Sequence, residues 1–287
     1  MRWFNVLFII PMLIIASCNS KNPVSNYEAT DEEAIYNVVL IDNIRLSEIV
    51  AFPETVPDTA SFIANPVDGQ PLFWHDLDTL SESFNVSISA QPVSSPIGDV
   101  YEATVVYTII WYGTFETLNY NSSADSLERY SRSFQVTGKR TARCQRWGQT
   151  SLRRGWRLTE IGGATINAGT GQGFLQDLVY HCDSNDDSLF NGAIVETADI
   201  PRFDTDEEVT LTFDIGSDND LAYIFIPDGN LGYTLATPEP VGDSYKVTMT
   251  MPSIDDIYGQ FRFYVVNAGQ FTGSYKARGY SYGYRMR

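Results

Sequence analysis

Histidine is the side chain best suited to proton transfer near neutral pH, and the 287-residue sequence has only two, His75 and His181. Two cannot form a three-histidine zinc site, and neither has a second histidine four residues away as a helical zinc motif requires. Trp74-His75-Asp76 sets a histidine beside a carboxylate, the base half of a nucleophilic relay, but no Gly-x-Ser-x-Gly elbow accompanies it. The plainer reading is a loop histidine beside an anchoring tryptophan. His181 adjoins Cys182, which reads as half of a disulfide before it reads as a nucleophile. The acidic clusters Asp204-Asp206-Glu207-Glu208 and Asp218-Asn219-Asp220 offer oxygen ligands suited to calcium, yet the EF-hand spacing is missing. Gly162 to Gly173 is glycine-rich, but no Lys-Ser or Lys-Thr follows, so it reads as strand exit and linker rather than a phosphate loop. The sequence therefore assigns no catalytic residue, metal or cofactor.

Charge offers a second kind of candidate. The net charge is −17 and the pI near 4.4, a balance that repels nucleic acid and excludes it as a partner. Against that background residues 129–157 hold nine of the 19 basic side chains and no acid. On strands, whose side chains alternate between faces, Lys139 and Arg143 point one way and Arg132, Arg140 and Arg146 the other. One reading is an anion-binding face for an acidic glycan, lipid phosphate or acidic partner; the other is a solvated face paired with neighbouring acids.

The elements that position these residues follow from capping and periodicity. Thr30 and Glu33 form a capping box, and Ile35, Val38 and Val39 begin an apolar stripe, which predicts a helix to about Ile49. Prolines 53, 57, 66 and 71 predict turns or brief helices between Phe52 and Leu80. Alternation predicts strands over 83–91, 101–117, 130–147 and 156–166, with Val105, Tyr107, Ile109, Trp111 and Phe115 on one face. After a linker over 169–188, turn signals every eight to twelve residues predict a β-sandwich over 189–287. Tyr280, Tyr282 and Tyr284 alternate there, either stacking sugars or filling the sandwich.

The first residues concern location. Arg2 precedes an apolar run from Trp3 to Ala16, within the ~7–15 residues of a signal peptide and short of the ~20 needed to span a bilayer. It ends in Ile15-Ala16-Ser17-Cys18, which resembles the lipobox of bacterial lipoproteins. That resemblance implies cleavage after Ser17, lipidation of Cys18, and a tether over 18–29 in the cell envelope; Asn19 in place of aspartate implies the outer membrane of a two-membraned cell. In that compartment the remaining pair, Cys144 and Cys182, is expected either as a disulfide or as two buried thiols.

A helix followed by long antiparallel strands ending in Gly155-Trp156-Arg157-Leu158 resembles the NTF2-like superfamily. It implies an α+β fold over 30–168, with the N-terminal helix packed on a curved sheet. It also implies a concave pocket walled by Tyr107 and Trp111; Asp42, seven residues after Ile35, is then either an acid aimed inward or a carboxylate at the edge of the helical stripe touching water, and Trp74 and His75 are further candidate ligand-binding residues. The C-terminal stretches from Asp218 to Gly229 and from Gly259 to Tyr275 resemble jelly-roll or immunoglobulin-like appendages, which implies an accessory module. The expected function is a non-catalytic envelope lipoprotein that binds a protein, glycan or small hydrophobic ligand. The alternatives are a carrier or enzyme using the first-domain pocket, and an accessory component of a surface or secretion assembly.

Overall fold

The computed structural model describes residues 28–50, 59–64, 66, 72–95, 98–148, 152–168, 176–183, 185–190, 194–215, 220–227, 233–253, 258–267 and 277–287. Cys18 and the rest of the signal and lipobox residues lie outside these, as do Asp218, Asn219 and residues 169–173 of the glycine-rich segment.

The fold begins where the capping box predicts. Thr30 accepts a hydrogen bond from the Glu33 amide at 3.1 Å, and the Glu33 carboxylate accepts one from the Ala29 amide at 2.8 Å. Helix α1 (Asp31–Asn37) is nevertheless short, because the chain widens into a π-helical turn (Val38–Asp42) before α2 (Ile44–Ser47). Asn43 causes part of this: its side-chain amide donates to the Val38 carbonyl at 2.7 Å, taking an acceptor the regular ladder would use. A third short helix, α3, spans Thr59–Ala64.

Among the described residues the regular structure after it is β, apart from a 3-10 turn at Leu152–Gly155. The strands of the first half are β1 (Leu72–Ile88), β2 (Val93–Ser95), β3 (Gly98–Asn121), β4 (Ser126–Arg146), β5 (Trp156–Gly162), β6 (Ala164–Ala168), β7 (Gln176–Cys182) and β8 (Asn185–Phe190). Those of the second are β9 (Ile194–Glu196), β10 (Arg202–Phe203), β11 (Glu208–Asp214), β12 (Asp220–Pro227), β13 (Tyr233–Ala236), β14 (Glu239–Val241), β15 (Ser244–Thr250), β16 (Tyr258–Asn267) and β17 (Ala277–Met286). Among the described residues a 12-stranded sheet follows the order β1-β3-β4-β6-β17-β16-β12-β13, with β2, β5, β9 and β10 on its sides. A 5-stranded sheet follows the order β14-β15-β11-β7-β8.

The large sheet is antiparallel over its main path and serves two cores, one on each face. Along β12 and β16, residues Ala222, Ile224, Phe261, Phe263 and Val265 face the second sheet, whose Leu178, Tyr180, Val209, Leu211 and Phe213 complete a sandwich. Phe225 and Tyr264, of opposite parity, face the other core with Val105, Tyr107, Ile109, Trp111 and Phe115 of β3. The sheet curls around this core: the ring of Phe73 on β1 lies 5.5 Å from that of Tyr223 on β12, although five strands lie between them along the path. Two glycines permit the close approaches. A Cβ on Gly113 would sit 2.1 Å from the Asp76 carbonyl beside a β-bulge at Asp78, and one on Gly138 would meet Trp111 and Ile49 at 2.7 Å.

Several expectations are corrected. The protein is predominantly β rather than α+β, its helices are short, and no NTF2-like cone of helix on sheet is formed. Strand β1 takes in Leu72 to Leu80, where prolines predict turns, because the last proline at 71 precedes the strand and leaves its ladder intact. Residues 176–182, within the expected linker, pair as β7 with β8 at 185–190, which straddles the linker's expected end. Cys144 and Cys182 are buried thiols in different cores and are not joined by a disulfide.

Candidate functional site

The residues expected to wall a pocket build the core instead. Tyr107 and Trp111 are buried in the curled half of the sheet, and burial holds the Tyr107 phenol well above its usual range. Trp74 lies beneath the Arg129 guanidinium, 5.6 Å from its ring centroid. His75 points inward among Phe73, Phe115, Phe134 and Tyr264, with Nε2 3.1 Å from the Tyr264 hydroxyl. Burial pushes its pKa down to about 3, so it is a neutral packing group at physiological pH. Asp76 cannot orient it, because neighbours on a strand face opposite ways.

The expected anion-binding residues are dispersed. Arg143 pairs with Glu160 at 3.1 Å, Arg146 with Asp31 at 3.3 Å, and Arg132 donates to the Ser131 carbonyl at 2.8 Å. Lys139 is exposed on the outer face of β4. Arg140 is buried, 2% exposed, and its guanidinium reaches the Leu46 carbonyl, the Glu48 carbonyl at 3.3 Å, Gln260 Oε1 at 2.9 Å and the Ser281 hydroxyl. The Gln260 amide donates to the Arg45 and Glu48 carbonyls at 2.7 and 3.1 Å. Together they satisfy carbonyls that the end of α2 would leave orphaned. Burial, then Arg262, bring the Arg140 pKa down to about 9, which Glu48 partly opposes. Its role is to lock α2 onto β16 and β17.

A second arginine cluster receives the chain where the described residues begin. The turn at Leu152–Gly155 holds Arg153 and Arg154 at φ of 49° and 50°, left-handed values that cost non-glycine residues energy. The conformation aims both side chains at the helical segment. Arg153 forks onto Asp42 at 2.7 and 2.8 Å and reaches Glu28 Oε1 at 2.5 Å, while Arg154 contacts Asp31 at 2.6 Å. The bond from Arg153 lowers the Glu28 pKa. Burial opposes ionisation of Asp31, but Arg154, Trp156 and Arg146 outweigh it and lower its pKa too. Asp42 is therefore an ion-pair partner facing solvent rather than an inward base.

These two locks flank Tyr258, which lines a cleft on either side. One, of about 290 Å³, is bordered by Asp42, Asn43, Leu152, Arg153 and Arg157. The other, of about 220 Å³, is bordered by Ile44, Arg45, Glu48, Tyr233 and Arg262. Arg262 stacks 4.1 Å above Tyr233 and pairs with Glu48 at 2.7 Å; Arg285 lies 5.5 Å above Tyr258. Both are open and smaller than the ~300–1,000 Å³ that encloses a small ligand, so the face suits contact with a surface better than capture of a molecule. Arg262 was unread in the sequence. Its parity between Phe261 and Phe263 marks it as facing away from the sandwich, but its partner Glu48 is 214 positions distant.

Among the described residues no helix is long and apolar enough to cross a membrane, and no group of acids, histidines and cysteines is placed to hold a metal. No family model, curated protein or solved structure matches the chain.

Proposed function

We propose that this chain is an envelope protein tethered through a lipidated Cys18, with a non-catalytic binding role exercised through the arginine- and tyrosine-lined face around Tyr258. The observation that carries the binding part is the contrast between interior and surface. Tyr107 and Trp111 are consumed by the core, whereas Arg45, Arg157, Arg262 and Tyr258 border shallow open clefts. A carrier or enzyme working through a pocket behind Tyr107 loses its support for the same reason. The location rests on the apolar run to Ala16 and on Ile15-Ala16-Ser17-Cys18. Lipoprotein processing attaches several acyl chains, and each buried methylene contributes about 0.8 kcal/mol, so the anchoring is stable.

The test is fractionation of cells that express the natural chain or Cys18→Ala. The natural protein should sediment with membranes, in the outer-membrane fraction of a two-membraned cell, and incorporate labelled fatty acid. The variant should incorporate none and leave the membrane fraction. Equal membrane retention of both would overturn the assignment.

A further inference from the structure

Large apolar side chains are exposed beside the two clefts. Leu152 is 73% exposed, Ile41 56%, Ile44 44% and Trp147 37%. Leu152 borders the same cleft as Asp42 and Tyr258, Ile44 borders the neighbouring cleft that shares Tyr258, and Ile41 adjoins Asp42 in the π-helical turn. Trp147 joins them through Arg157, whose guanidinium lies 5.1 Å above its ring and which borders the Leu152 cleft.

We infer that this face rests on the bilayer to which Cys18 ties the protein, with Leu152, Ile41, Ile44 and Trp147 entering the headgroup layer. The inference deepens the tether reading and depends on it.

Three observations select the bilayer as occupant. The first is reach: Glu28 is ten residue steps from Cys18, and at ~3.5 Å per step they extend to no more than ~35 Å. The second is where that leash ends. Glu28 is bonded to Arg153, a residue of the same turn as Leu152, so the leash enters the fold at this face. The third is charge. Glu28, Asp31, Asp42 and Glu48 are each engaged by an arginine, which neutralises these four acids. Among the described residues Arg45 and Arg157 have no carboxylate partner and border the clefts beside Ile44 and Leu152. In a chain of net charge −17 this is a face that an anionic headgroup surface tolerates. Tryptophan and arginine are the side chains that settle at such interfaces, the ring at headgroup depth and the guanidinium among phosphates.

The experiment uses the full lipidated protein reconstituted in vesicles of phosphatidylethanolamine and phosphatidylglycerol. A polarity-sensitive fluorophore is attached at Leu152→Cys or, in a second variant, at Ile41→Cys; a label at Val241→Cys on β14 of the other sheet is the control. Cys144 and Cys182 are buried and stay unlabelled in the folded protein. The labels at 152 and 41 should shift to the blue and be quenched several-fold more strongly by nitroxide-bearing lipid than the label at 241. Should the protein float with the vesicles while all three labels report water, the face does not touch lipid and the inference falls, the tether standing. Should it fail to float, the tether falls and the inference with it. Blue-shifted labels unaffected by lipid-borne nitroxide would mean that the face is covered by a protein, which also overturns it.

Discussion

A histidine surrounded by four aromatic rings has to stay neutral to remain there, and His75 makes that requirement measurable. Its ordinary pKa is 6.5 and burial brings it down to about 3. As pH falls from 6.5 toward 3, the unfolded chain takes up a proton that the folded chain refuses, so stability present above pH 6.5 is lost progressively through that window. Urea unfolding should show a loss of roughly 1.5 kcal/mol between about pH 6.5 and 5, a range in which most carboxylates have yet to titrate. His75→Phe, similar in shape and without a proton to gain, should remove most of that slope. A slope unchanged in the variant would mean that His75 is solvated. The sequence shows Trp74-His75-Asp76 plainly but not its parity. Once Leu72–Ile88 is known to be a strand, alternation alone sends His75 to the face opposite Trp74 and Asp76.

At the scale of elements, the turn at Leu152–Gly155 trades backbone comfort for side-chain aim. Arg153 and Arg154 hold left-handed conformations, and the return is the set of bonds to Glu28, Asp31 and Asp42. Replacing Arg153 by alanine discards the fork and keeps the strain, whereas glycine discards the fork and relieves it. Arg153→Gly should therefore unfold at a higher urea concentration than Arg153→Ala, by about 1 kcal/mol in stability, with both below the natural chain. Equal midpoints would show that the turn carries no strain. Local features of this kind divide sharply in legibility. The capping box at Thr30 and Glu33 was readable because it is complete within four residues. The strands over 98–121 and 126–146 were readable because a two-residue period persists along them. The break of α1 into a π-turn was not, since it depends on which carbonyl the Asn43 amide selects.

For the whole molecule, the informative contacts join chain segments far apart. Strand β6 pairs with β17, and Arg140 on β4 bonds to Gln260 on β16 and Ser281 on β17. The large sheet therefore continues from the first half of the sequence into the last, with one core on each face. Capping and periodicity report neighbours along the chain and are silent on such pairings, which is why a helix followed by strands suggested an α+β cone. The same silence left the Tyr258 clefts unseen, since their walls come from residues as far apart as Val38, Leu152, Thr197, Pro227 and Tyr284. Arg140→Met removes the buried cation, orphans the Leu46 carbonyl and leaves the Glu48 carbonyl to Gln260 alone, a loss of about 3 kcal/mol or more. It should lower the unfolding midpoint reported by the fluorescence of Trp111, in one core, and by exposure of the Cys182 thiol to a labelling reagent on unfolding, in the other, to the same extent. If the two reporters separate, the shared sheet does not couple the cores.

The ion pair between Glu28 and Arg153 also decides how the protein bears mechanical load. Any pull on the chain ahead of Glu28 is passed to the connection between β4 and β5 before it can unwind α1, because Glu28, Asp31 and Asp42 are all bound to that connection or its flanks. Force then spreads into the centre of a wide sheet instead of peeling a seven-residue helix from its edge.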